Sequence, residues 1–215
     1  MFPKAGNTGA FSRRVFAASI PPAGAVVDAS AGAGRHTMVA AHAVGPTGQV
    51  LAFEPEPASY RALRANVREH GFEDRVTALP LRLAAWARLH LLNSFPPDTQ
   101  VDLVKLAIEG GDVNALHAID GALALSPSAR LFVDCNPAEL ARAGSSAAAL
   151  LVELRELGFH SRVIEEIHGE LSPAGTWLSE AAGPVQLFCE RADGRRRFAR
   201  RARTGRIGAR ADAGV

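Results

Sequence analysis

The stretch Ala25-Val26-Val27-Asp28-Ala29-Ser30-Ala31-Gly32-Ala33-Gly34-Arg35 decides the fold. A short apolar run stops at a carboxylate, a turn of small residues follows, and Arg35 to Val44 then carries helical periodicity up to Gly45. Strand, glycine turn and helix in that order form a nucleotide-binding device. Small residues let the backbone approach a ligand, and the helix N-terminus presents N–H groups that have no partner inside the helix. A dinucleotide site calls for G-x-G-x-x-G or a final Ala, but counting from Gly32 the last position is Thr37. The G-K-[ST] ending of a Walker loop is absent as well. A carboxylate at the strand end suits a ligand with a cationic amino group and sits badly against a pyrophosphate. The bland alternative is a connecting turn capped by Asp28.

Working outward, Pro46-Thr47-Gly48 turns the chain into a second strand, Gln49 to Phe53, which ends at Glu54-Pro55. Glu54 follows Asp28 by 26 positions, close to the roughly 20-residue offset at which an acidic residue receives ribose hydroxyls. Taken alone, Glu54 and Glu56 could simply be acids in the first turn of the next helix. Pro57 fits that turn, Tyr60, Leu63 and Val67 mark one helical face, and Gly71 closes it.

Further strands are expected at Arg75 to Leu79, Val101 to Ile108, Ala129 to Asp134, Arg162 to Ile167 and Val185 to Glu190. Helices are expected where Val113, Leu116, Ile119 and Leu123 share a face, and over Ala147 to Leu157 with Leu150, Leu151, Leu154 and Leu157 inward. Pro80 to Gln100 is less regular, and Trp86 to Leu92 has strand-like alternation. About seven strands in βα alternation, the last two paired like a hairpin, define an α/β protein with one domain over residues 21–190. Residues 1–20 form an N-terminal segment and 191–215 a disordered tail with too few large apolar residues to hold a core.

The 215 residues suffice for one such domain. No run reaches the roughly 18 apolar residues a membrane span needs, and Arg13 and Arg14 without a following apolar run argue against a secretory leader. Cys135 and Cys189 lack metal spacing and read as buried, reduced thiols of a cytoplasmic protein. The tail holds nine arginines against two aspartates, +7, so the other 190 residues carry −5 of the total +2. That run could attract nucleic acid, but with Phe198 as its one aromatic it reads first as a solvated tail.

The strand from Val101 to Asp112 completes a set of motifs that resembles the FkbM-type methyltransferases, which use S-adenosylmethionine (SAM) and are mostly O-methyltransferases. The family's Asp-Val-Gly-Ala-Asn-x-Gly is matched by Asp28 to Gly34, its Phe-Glu-Pro by Phe53-Glu54-Pro55, and its Leu-x-x-Asn by Leu63 to Asn66. Its Asp-Leu-Ile-Lys-Ile-Asp-x-Glu-Gly-x-Glu is matched by Asp102 to Asp112. The resemblance covers about Val26 to Ile167 and implies a Rossmann-like class I methyltransferase fold. Its sheet is mostly parallel and seven-stranded, with an antiparallel strand pair at the C-terminal end. SAM is the implied cofactor, held by Asp28, Ser30, Ala31, Gly32, Gly34, Thr37, Glu54 and Pro55. Lys105, Glu109 and Asp112 would line the active site, without a metal.

A lysine in an otherwise apolar strand needs a partner, expected in Glu109 or Asp112. The same two carboxylates, with His168 as a third choice, are candidate bases for a hydroxyl acceptor on a small molecule or glycan. The chain departs from the family at Ser30, where a glycine is usual, and at Ala107, where an aspartate is usual. These departures keep open a degenerate, non-catalytic member of the fold, and the tail keeps open a nucleic-acid methyltransferase.

Overall fold

The computed structural model describes residues 9–83, 95–96, 99–108, 116, 119, 123, 125–175, 178 and 183–191. The expected strand Trp86 to Leu92, Val113, and all of the tail beyond Arg191 lie outside the described residues.

Helix α1 (Ala10–Ala18) precedes strand β1 (Ala25–Asp28), α2 (Arg35–Val44), β2 (Gln49–Phe53), α3 (Pro57–Glu69) and β3 (Val76–Leu79). Then come β4 (Leu103–Ile108), β5 (Arg130–Cys135), α4 (Pro137–Arg142), α5 (Ala147–Glu156), β6 (His160–Glu165), β7 (Glu170–Pro173) and β8 (Val185–Glu190). They form one sheet in the order β3-β2-β1-β4-β5-β8-β6-β7. The first five strands in that order run parallel. β8 pairs antiparallel with both β5 and β6, and β7 antiparallel with β6.

The expected α/β class, parallel core and antiparallel finish are therefore present, with one correction: among the described residues the sheet has eight strands, not seven. The extra one, β7, is the four-residue segment Glu170-Leu171-Ser172-Pro173, with two polar residues. It sits at the sheet edge and pairs only with β6, so it needs no apolar alternation to be stable there. Helices α1 and α4 also went unpredicted.

Period-two alternation sorts each strand between two helical layers. Val26, Val50, Leu103, Phe132 and Phe188 pack with α1, α2 and α3 on one face. Val27, Leu51, Val104, Leu131 and Leu187 pack on the other with α5 and the helical residues Leu116, Ile119 and Leu123. The chain order reverses between β1 and β4, and in open α/β sheets a ligand crevice opens at such a switch point beyond the carboxyl ends of the strands. β1, β4 and the glycine turn meet there.

Candidate functional site

The turn after β1 owes its shape to two glycines in left-handed conformation, Gly32 at φ +56° and Gly34 at φ +96°. They serve different ends. A Cβ on Gly34 would lie 2.7 Å from Leu63 Cδ1, so this glycine lets α3 approach the turn. A Cβ on Gly32 would meet nothing within 4 Å among the described residues, so on that side this glycine is open. Ser30 lies in an ordinary backbone region, since Ala23 is the one non-glycine with positive φ among the described residues. A side chain at position 30 thus costs no backbone strain.

Side chains from three elements fix the turn. Asn66 Nδ2 donates to the Ala33 carbonyl at 2.7 Å, which together with the Leu63 packing gives the Leu-x-x-Asn motif its physical purpose. Glu54, at the end of β2 and largely buried, accepts from the Gly32 N–H at 2.7 Å and from the Glu56 N–H at 2.8 Å. Glu56 is the true cap of α3, accepting from the Ala58 and Ser59 N–H groups, which hold its carboxyl below the usual range. Sequence reasoning weighed both acids as helix-start residues; only Glu56 has that role, and Glu54 turns to the glycine turn.

Asp28 is fully buried. Its Oδ2 accepts from the Thr37 hydroxyl at 2.7 Å, and its Oδ1 is buried with no hydrogen-bond partner among the described residues. Thr37 is itself fully buried, so its role is to orient Asp28. A buried carboxylate oxygen without a donor is costly, and a cationic donor beside the turn would satisfy it. Pro55 is exposed beside Glu54, Ser30 is half-buried, and Ala31 is buried with its N–H on the Phe53 carbonyl at 3.0 Å.

Lys105 is buried, and its partner is a residue the sequence reading did not consider. Nζ lies 3.3 Å from Asp134 Oδ2 on β5 and donates to the Ser30 carbonyl at 3.2 Å. The other oxygen of Asp134 accepts from Gln186 Nε2 at 2.8 Å. Glu109 and Asp112, the partners expected from the sequence, lie outside the described residues. One signal was available: Asp134, like Lys105, is a charged residue inside an apolar strand.

His36, in the first turn of α2, was also missed. Its ring packs against Phe16 of α1 and Phe132 of β5, with centroids 4.9 and 5.6 Å apart. Burial holds its pKa below the ordinary value and Lys105 adds to that, while Asp28 and Asp134 pull the other way. His168 sits in the β6–β7 turn, mostly exposed, with Nδ1 3.0 Å from Glu165 Oε2. The strand leading into that turn, β6, is three places from β4 in the sheet order.

No protein-family model matches the sequence, and no curated protein matches it. Solved structures do match in fold. An rRNA methylase from Streptococcus thermophilus superposes with TM-score 0.57 at 16% identity, over 89% of this chain and 98% of that one. A precorrin-6y C5,15-methyltransferase from Geobacter metallireducens gives 0.57 at 17%, over 88% and 92%. A SAM-dependent O-methyltransferase from Thermotoga maritima gives 0.53 at 18%, over 84% of this chain and 64% of the other. At such identities the likeness is one of fold: a Rossmann-like methyltransferase architecture.

Proposed function

We propose that this chain is a SAM-dependent methyltransferase acting on a hydroxyl of a small molecule or glycan. The observation that carries the reading is Asp28 Oδ1, buried and unpartnered among the described residues, beside a glycine turn that is open on the Gly32 side among those residues and is latched by the acid closing β2. A cationic amine answers the first feature, a close-lying ligand backbone the second, and a vicinal diol the third. The fold's solved neighbours include SAM-dependent enzymes. The FkbM assignment belongs to this proposal and rests on Phe53-Glu54-Pro55, Leu63 to Asn66 and the Lys105 strand.

In this reading Asp28 holds the ligand's amino group, and the Ser30 to Gly34 backbone lies against it. Glu54 takes the ribose hydroxyls on the lone pairs that the Gly32 and Glu56 N–H groups leave unused. When bound, SAM supplies a methyl group already activated by its sulfonium, so the protein's task is chiefly to position an acceptor in line with it. Lys105 steadies the turn through the Ser30 carbonyl. A base within hydrogen-bond reach of the acceptor hydroxyl would take its proton; Glu109, Asp112 and the one-third-exposed Asp134 are the candidates.

Glu54→Ala tests the assignment. It removes a carboxylate from two backbone donors and from the ribose, and charged hydrogen bonds contribute about 1.5–3 kcal/mol each. SAM affinity should fall by roughly tenfold or more. An unchanged dissociation constant would remove Glu54 from the site.

A nucleic-acid acceptor is the second reading, favoured by the nine arginines of residues 191–215 and by an rRNA methylase among the similar folds. RNA titrated against the full chain and a chain ending at Arg191 separates the two. Salt-sensitive binding by the full chain alone supports this second reading; negligible binding by both leaves the first. A cytoplasmic location, resting on two unpaired buried thiols, is part of the same proposal.

A further inference from the structure

Three adjacent strands set unlike charges in a row on one face of the sheet. Asp28 on β1 lies in register with Lys105 on β4. Asp134 on β5 lies in register with Ala107, two residues beyond Lys105 and on its face. Ala107 leaves this end of β4 without a carboxylate, so the negative charge beside it comes from β5. Lys105 Nζ bridges Asp134 and the Ser30 carbonyl, and Gln186 holds the second oxygen of Asp134. Asp28 keeps one buried oxygen without a partner among the described residues. His36 also lies beside this row; burial and Lys105 lower its pKa, against the pull of Asp28 and Asp134. Two carboxylates against one ammonium leave the row with a net charge of −1.

That sign bears on which form of the cofactor the site favours. At neutral pH SAM carries an ammonium, a sulfonium and a carboxylate, a net single positive charge. The demethylated product, S-adenosylhomocysteine, lacks the sulfonium charge and is net neutral. A row of net −1 at the partly buried end of these strands complements the first more than the second. We propose that Asp134, held in place by Lys105 and Gln186, is a specificity residue that biases this site toward the cationic methyl donor and against its spent product. This rests on the SAM reading above. Its consequence is release: once the methyl group leaves, the electrostatic part of the grip leaves with it.

The test is a ratio of affinities, measured by equilibrium dialysis of labelled SAM and labelled S-adenosylhomocysteine against the full chain. Asp134→Asn removes the charge and keeps an oxygen for the Gln186 amide. It should weaken SAM about tenfold more than S-adenosylhomocysteine, the scale of one partly screened charge within several ångströms. The double variant Ala107→Asp/Asp134→Asn returns a carboxylate one strand over on the same face and should restore most of the preference. Lys105→Met removes the opposing charge and should move the ratio the other way, which keeps the proposal testable should Asp134→Asn fold poorly. A purely structural role for Asp134 weakens both ligands alike. An unchanged ratio in Asp134→Asn and in Lys105→Met therefore overturns the proposal while the cofactor reading stands. A wild-type chain that binds neither ligand overturns both.

Discussion

Gly32 and Gly34 are two residues apart in one turn, yet the structure gives them separable costs. Gly34→Ala meets both a left-handed φ and the Leu63 side chain, and should destabilise the fold by about 1–3 kcal/mol. Gly32→Ala meets only the left-handed φ, at about 1 kcal/mol, because its Cβ would meet nothing within 4 Å among the described residues. Thermal unfolding of both variants checks the order; a larger loss at Gly32 would contradict the assigned packing. In the ligand assay the order should reverse, since a methyl group at Gly32 intrudes where the ligand lies. Thr37→Val removes the donor from Asp28 Oδ2 and leaves both buried oxygens unpaired, a cost of about 1–3 kcal/mol by chemical denaturation.

Asp28, Glu54 and the Leu63–Asn66 pair were legible in the sequence because each acts near its own turn and their spacing follows from a strand, a turn and a helix. The partner of Lys105 was not. Pairing Lys105 with Asp134 depends on which strands are neighbours and in what register, and neither is written in local periodicity. His36 was set aside for the same reason: its companions Phe16 and Phe132 come from the distant α1 and β5.

At the scale of elements, α1 shows why a helix can escape a sequence reading. Its N-cap is Gly9, which offers no side chain to the helix. The missing cap comes from the β6–β7 turn, where Glu166 accepts from the Phe11 N–H at 3.1 Å and the Ser12 N–H at 2.7 Å. A carboxylate at a helix N-terminus satisfies donors and complements the helix dipole; here it arrives from more than 150 residues away. Glu166→Ala should cost about 1 kcal/mol and hasten amide exchange in the first turn of α1 while leaving β1 and β4 protected. Unaltered exchange in that turn would refute the clasp. By contrast, α4 had a local signature that was overlooked: Asn136 caps it through Ala138 N–H, and Pro137 opens its first turn.

Arg191 redraws a boundary. It was assigned to the tail, but its guanidinium donates to the carbonyls of Leu123, Ser126 and Leu157 and lies 4.9 Å from the centre of the Phe159 ring. A truncation meant to spare these contacts should begin after it.

For the molecule as a whole, the alternation of short apolar runs with helical periods foretold the α/β class, and the family resemblance foretold the mostly parallel sheet. The two thiols give a prediction at this scale. Burial pushes Cys135 and Cys189 up to about 12, whereas an unfolded cysteine titrates near 8.5. Between those values the unfolded chain releases protons that the folded chain keeps, so stability is fully present below about pH 8.5 and falls as pH rises toward 12. Each thiol contributes a slope of up to about 1.4 kcal/mol per pH unit in that window. Denaturation curves of wild type and Cys135→Ala/Cys189→Ala across alkaline pH should show a shallower decline in the double variant. Parallel declines would mean that the thiols are not held in this way.

The central claim is that the crevice above β1, β2 and β4 is built for SAM. Calorimetric titration of SAM into the full-length protein tests it most directly. The account predicts a saturable one-to-one isotherm with a dissociation constant on the order of micromolar, weakened when Glu54 is replaced by alanine. A flat titration through millimolar SAM would contradict it.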